Sequence, residues 1–93
     1  MMTDSLTVRL PGEQIENRAQ LHQWLAHALA LPDWYGKTLD ALYDCLTDLQ
    51  TDTILEISQQ EALADTLGTY MQPFLQVLAD AAEENLHLTV RLV

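Results

Sequence analysis

The chain has 93 residues, 14 acidic side chains against four Lys and Arg, a formal charge of −10 and a single cysteine. At that length it can bury roughly 60% of the surface its unfolded form exposes, enough for one core, so a single domain over residues 1–93 is expected. One cysteine excludes a disulfide framework, and the excess of carboxylates disfavours any contact with nucleic-acid phosphates.

Met1-Met2-Thr3-Asp4-Ser5 carries no basic region and no apolar run, so neither a signal peptide nor a membrane anchor is expected and a cytoplasmic location follows. Leu6, Val8 and Leu10 alternate with Thr7 and Arg9, which predicts a first strand ended by a turn at Pro11-Gly12. From Asn17 the period becomes helical: Leu21, Trp24, Leu25, Ala28 and Leu29 share a face, Asn17 is the candidate N-cap and Gln20 is placed to reach back. Leu31-Pro32 stops that helix, because a residue before proline is pushed out of the helical region. The loop Pro32-Asp33-Trp34-Tyr35-Gly36-Lys37 then presents two aromatics expected to be exposed.

Thr38 is the candidate N-cap of a second helix running to about Asp48 or Leu49, with Asp40 favoured in its first turn by the helix dipole. Thr53 to Ile57 predicts a second strand and Gln60 to Leu67 a short helix ended near Gly68. A longer helix extends to Glu84 and is capped by Asn85. Its start is signalled twice, by a Thr69/Gln72 capping box and by Pro73 as a first helical residue, and the signals lie several positions apart. Leu86, Leu88, Val90 and Leu92 alternate into a last strand. Strands separated by helices imply crossovers and hence an α/β fold with a small parallel sheet. Alternating outer strands imply helices on one face only.

On a helical wheel Leu39, Leu42, Leu46 and Leu49 occupy one side of the second helix, whereas Asp40, Tyr43, Asp44 and Thr47 occupy the other. Asp40, Asp44 and Asp48 repeat at i, i+4, which costs an isolated helix roughly 0.2–0.5 kcal/mol per pair, and no lysine or arginine within the helix itself offsets them. A merely solvated acidic face is one reading. Trp34, Tyr35 and Tyr43 beside these carboxylates favour a protein-binding surface, because such rings supply large contact area at low entropic cost. Catalysis by the carboxylates is not expected on a convex, hydrated face. No metal or cofactor is expected either: His22 and His27 point to different sides of their helix, His87 is distant, and Cys45 and Trp24 are best explained by packing.

The run from Pro32 to Thr47, with its core Tyr-Gly-x-x-Leu-Asp-Ala-Leu-x-Asp-x-Leu, resembles the signature of the barstar family of ribonuclease inhibitors. Gly12-Glu13-Gln14-Ile15, Leu21-His22-Gln23 and Leu75-Gln76-Val77 extend the resemblance. It implies a three-stranded parallel sheet with the first strand central and helices packed on one face. It also implies an intracellular, non-enzymatic inhibitor, monomeric when free, whose partner is a basic, secreted, barnase-like ribonuclease. Asp44 is then a mimic of a substrate phosphate, since arginine pairs with carboxylate as it does with phosphate. Asp40 is implied to bind a second basic group, Trp34, where barstar has tyrosine, to stack on the nuclease rim, and Tyr43 to take the place of a tryptophan. Gly36 is implied to let the loop backbone approach closely, Thr47 to hydrogen-bond at the edge, and Asp80 and Glu84 to supply outlying acidic contacts. The chain departs from the pattern at Lys37 for a glutamate, Thr38 for an asparagine, Asp48 for a glycine and Leu49 for a tryptophan. Lys37 would repel a basic partner, so a barstar-like immunity or adaptor protein that binds a different basic toxin or partner is the alternative.

Overall fold

The computed structural model describes residues 5–93, and Met1–Asp4, on which the expectation about targeting segments partly rests, lies outside the described residues. In chain order the elements are β1 (Ser5–Pro11), α1 (Arg18–Ala28), α2 (Leu39–Thr47), β2 (Asp52–Ser58), α3 (Gln60–Leu67), α4 (Met71–Glu84) and β3 (Leu88–Leu92). Short 3-10 turns at Gly12–Gln14 and Gly68–Tyr70 follow β1 and precede α4.

The three strands are parallel, as the crossovers require, but β2 and not β1 is central. The expectation of a central first strand is therefore corrected, and the physical reason is chirality. Crossovers between parallel strands are right-handed, so helices share one face only if each new strand is added on the same side as the last. A central β1 would put the two crossovers on opposite faces.

Register aligns the apolar positions into rows: Leu10 with Ile57 and Leu92, Val8 with Leu55 and Val90, Leu6 with Thr53 and Leu88. Leu10, Leu55, Ile57 and Leu88 on this face are buried beneath the helices, against Leu21 and Leu25 of α1, Leu42 and Leu46 of α2, and Phe74 and Leu78 of α4. The opposite face carries Arg9, Glu56 and Arg91 side by side, with Nε of Arg9 donating to Glu56 at 3.1 Å and Arg91 at 3.7 Å from the same carboxylate. Gly12 is required by the fold: a Cβ there would meet the Gln59 and Ser58 carbonyl oxygens at 2.4 and 2.6 Å.

Local signals explain the helix starts. Asn17 Oδ1 accepts from the Gln20 amide at 2.8 Å, and the Gln20 side chain reaches back to the Glu16 amide. Thr38 Oγ1 accepts from the Ala41 amide at 3.1 Å. α1 ends at a left-handed Ala30 (φ 52), two residues before Pro32. α4 starts at neither sequence signal; the 3-10 turn runs directly into it at Met71, no side chain caps it, and Pro73 fits in the first turn, where amides lack intrahelical partners. Leu86 is 93% exposed and outside β3, a correction to the predicted strand. Among the described residues no helix is long and apolar enough to cross a membrane.

Candidate functional site

α2 packs on α4 through its leucine side, which turns Asp40, Asp44 and Asp48 outward to solvent. Among the described residues none of these three carboxylates, nor Asp80 or Glu84 on α4, makes an ion pair. Three of the four cations are engaged elsewhere, Arg9 and Arg91 with Glu56 and Arg18 stacked 4.3 Å above the Tyr70 ring. The fourth, Lys37, is exposed at the edge of a depression that also holds Asp40.

Tyr43 is half-buried against the core instead of fully solvated, since the α2–α4 contact covers part of its ring. Its phenol is held above the usual value by partial desolvation and then by the charges of Glu84, Asp80 and Asp44. Tyr43 thus marks where the acids of α2 and α4 merge into one strip. Asp80 accepts from Gln76 Nε2 at 2.9 Å, a neutral partner that leaves its charge uncompensated. Thr47 is half-buried and donates to the Tyr43 and Asp44 carbonyls at 3.0 and 3.1 Å, so its hydroxyl has only lone pairs left for an outside donor.

The loop splits its two aromatics. Trp34 is 79% exposed, whereas Tyr35 is buried, which corrects the expectation that both face solvent. The Tyr35 ring turns inward because its hydroxyl finds Nδ1 of His22, whose Nε2 lies 2.7 Å from the Tyr70 hydroxyl. A neutral imidazole has one donor and one acceptor nitrogen, so one tyrosine donates to the ring and the other accepts from it. Both groups are satisfied, and burial pushes the Tyr35 phenol up and the His22 imidazole down. His22 and Tyr70 therefore pin the loop from beneath, while Trp34, Gly36 and Lys37 stand on its outer side. Nothing local in the sequence points from His22 to Tyr70, 48 residues away.

Gly36 has an ordinary backbone, and a Cβ there would meet only the Ala41 Cβ at 3.5 Å, so the fold itself does not demand glycine. Lys37 takes the left-handed conformation (φ 58) that glycine usually supplies. Asn85 caps α4 as read from sequence, its backbone amide donating to the Ala81 carbonyl at 2.9 Å, and its side chain also donates from Nδ2 to the Leu46 and Leu49 carbonyls at 3.0 and 2.9 Å, which fixes the C-terminal end of α2. Cys45 is buried on the wall of a cleft between α2 and the chain after α1; burial, then Asp44 and Asp48, raise its thiol, which makes it a poor nucleophile. Among the described residues no group of His, Cys, Asp and Glu is arranged to hold a metal ion.

A family model described as Barstar (barnase inhibitor) matches residues 5–93. A protein of Bacillus subtilis (strain 168) carrying the name "Putative ribonuclease inhibitor YrdF" is 38% identical over 76 residues, which is 81% of this chain and 84% of that one.

Proposed function

The chain belongs to the barstar family, whose members are inhibitors and not enzymes, and from that premise we propose that it blocks the active site of a basic, barnase-like ribonuclease with the acidic face of α2. Asp44 stands where a substrate phosphate would lie. The observation that carries this reading is the exposed Asp40 and Asp44 pair, without an ion-pair partner among the described residues, next to an indole that is 79% exposed.

A row of like charges is uncomfortable in the free protein and becomes favourable once a cationic surface neutralises it. Arginine makes bidentate, charge-assisted hydrogen bonds to carboxylate in the geometry it uses for phosphate, so a nuclease site built for RNA accepts Asp44. Asp40 reaches a second basic group, Asp80 and Glu84 extend the strip, and Gly36 allows close backbone approach beside Trp34. Tyr35 supports the loop from inside. The domain acts as a monomer, and the same reading makes it cytoplasmic, in keeping with its one buried thiol.

The test is an RNA-cleavage assay with a barnase-like ribonuclease, in which stoichiometric wild-type domain is expected to abolish cleavage. Asp44→Ala should weaken binding by more than ~2 kcal/mol with the fold intact by circular dichroism, because it leaves a desolvated charge unpaired; barstar's own complex with barnase is a well-known case of such pairs. Full nuclease activity at excess inhibitor would overturn the reading, and unchanged binding by the variant would remove the phosphate-mimic role.

Lys37 favours a narrower version in which the target is a different basic toxin. Its positive charge shares a depression with Asp40, where a strongly basic rim would meet repulsion.

A further inference from the structure

A cleft of about 380 Å3 lies between the chain that follows α1 and the C-terminal half of α2. Leu29, Leu31 and Leu49 give it an apolar floor, Trp34 stands over one side, and Asp44 and Asp48 belong to the other. We propose that this cleft receives one arginine side chain of the partner, and that Asp48, outside the set of residues carried over from the family, is the residue that selects it. The proposal rests on the inhibitor reading and names the group that this part of the surface takes.

Each part of an arginine side chain meets a matching part of the cleft. The methylene stem covers the leucine floor, as long charged side chains do on apolar surface. The guanidinium plane lies against the exposed Trp34 indole, where cation–π attraction is strongest. Its fork of five donors spans Asp44 and Asp48, which lie one turn apart on the same helix. Lysine offers only a compact, strongly hydrated charge with no plane to stack and no fork to bridge two carboxylates. An anion would be repelled, and an apolar side chain would strip water from two carboxylates without replacing it. The Cys45 thiol, on the wall of the same cleft, is raised by burial and then by both carboxylates, so the field inside is negative. Trp34 has no intramolecular hydrogen bond, aromatic partner or cation among the described residues to account for its position.

The cleft is tested apart from any nuclease by following amide shifts of the whole domain on titration with N-acetyl-arginine methylamide, its lysine counterpart and its neutral citrulline counterpart. Arginine is expected to give saturable shifts at Ala30, Cys45 and Asp48, lysine weaker ones and citrulline none, and Asp48→Asn should cut the arginine affinity roughly threefold to tenfold. Absence of saturable shifts, or equal response to citrulline, overturns the cleft; equal response to lysine overturns the selection of arginine. Against a barnase-like ribonuclease, Asp48→Asn should raise the dissociation constant by a similar factor, with a smaller effect than Asp44→Ala. If Asp44→Ala weakens that complex and Asp48→Asn does not, the cleft proposal fails and the inhibitor reading stands. If the arginine probe binds as described but no nuclease is inhibited, the inhibitor reading fails and the cleft stands.

Discussion

His22 sits 2% exposed between two tyrosine hydroxyls, so the neutral imidazole is favoured there, first by burial and then by the positive charge of Lys37. Its pKa in the folded chain lies below the ordinary 6.5, and the unfolded chain therefore takes up the proton first. The contribution of His22 to stability is complete above 6.5 and is lost as pH falls from there toward the depressed folded value. Wild type is expected to lose urea resistance on the acid side of 6.5, whereas His22→Gln, weaker at neutral pH, should show a flatter pH profile. An equally steep profile in the variant would assign the acid sensitivity to carboxylates. Lys37, on the outer side of the same loop, is a second residue whose charge has a predicted sign. Lys37→Glu is expected to tighten binding to a barnase-like ribonuclease by about 1 kcal/mol or less, since charges at a rim stay solvated. Weaker binding would mean that the partner carries an acid there, and unchanged binding would put Lys37 outside the interface.

α2 is held at both ends by other groups: the Thr38 hydroxyl at its start, and the Asn85 amide on the Leu46 and Leu49 carbonyls at its finish. Between those anchors its charges oppose the helix. Asp40 in the first turn suits the dipole, but Asp44 and Asp48 lie toward the negative end and repel each other at i, i+4. Asp44→Asn should therefore stabilise the free protein by several tenths of a kcal/mol, within about 1 kcal/mol, while weakening the complex. Thermal melts and affinities measured on the same samples check both halves, and a variant that is less stable and also binds less well would show that Asp44 has a structural role.

Charge is distributed unevenly over the molecule. Arg9 and Arg91 lie with Glu56 on the open face of the sheet, and the acids of α2 and α4, without ion-pair partners among the described residues, lie on the helical side. At a net charge of −10, such a surface should steer a cationic partner and raise the association rate by roughly 10 to 1,000-fold at low salt. Screening at physiological salt shortens that reach to about 8 Å. Stopped-flow association is expected to slow steeply with salt while dissociation changes little; rates that stay flat would indicate an apolar interface.

Element order, the N-caps at Asn17 and Thr38 and the outward face of α2 were legible in the sequence, because each depends on hydrogen bonds and periodicities within about four residues, and the parallel sheet was legible because a helix between successive strands imposes a crossover connection. The order of strands was not, since it depends on how right-handed crossovers share one face of the sheet. Tyr35 turned inward because a loop has no period from which to read a face, and its partners are 13 residues away at His22 and, through that ring, a further 48 away at Tyr70. Asn85 reached across 39 residues to the Leu46 carbonyl at the end of α2, and Leu86 fell out of the apparent strand pattern because β3 begins only where Leu88 comes into register with Thr53. The cleft beside Asp48 exists only where the end of α1, the loop and α2 converge. Interactions between residues close in the chain were thus set by the sequence alone, and those that join distant segments were decided by packing around the shared core.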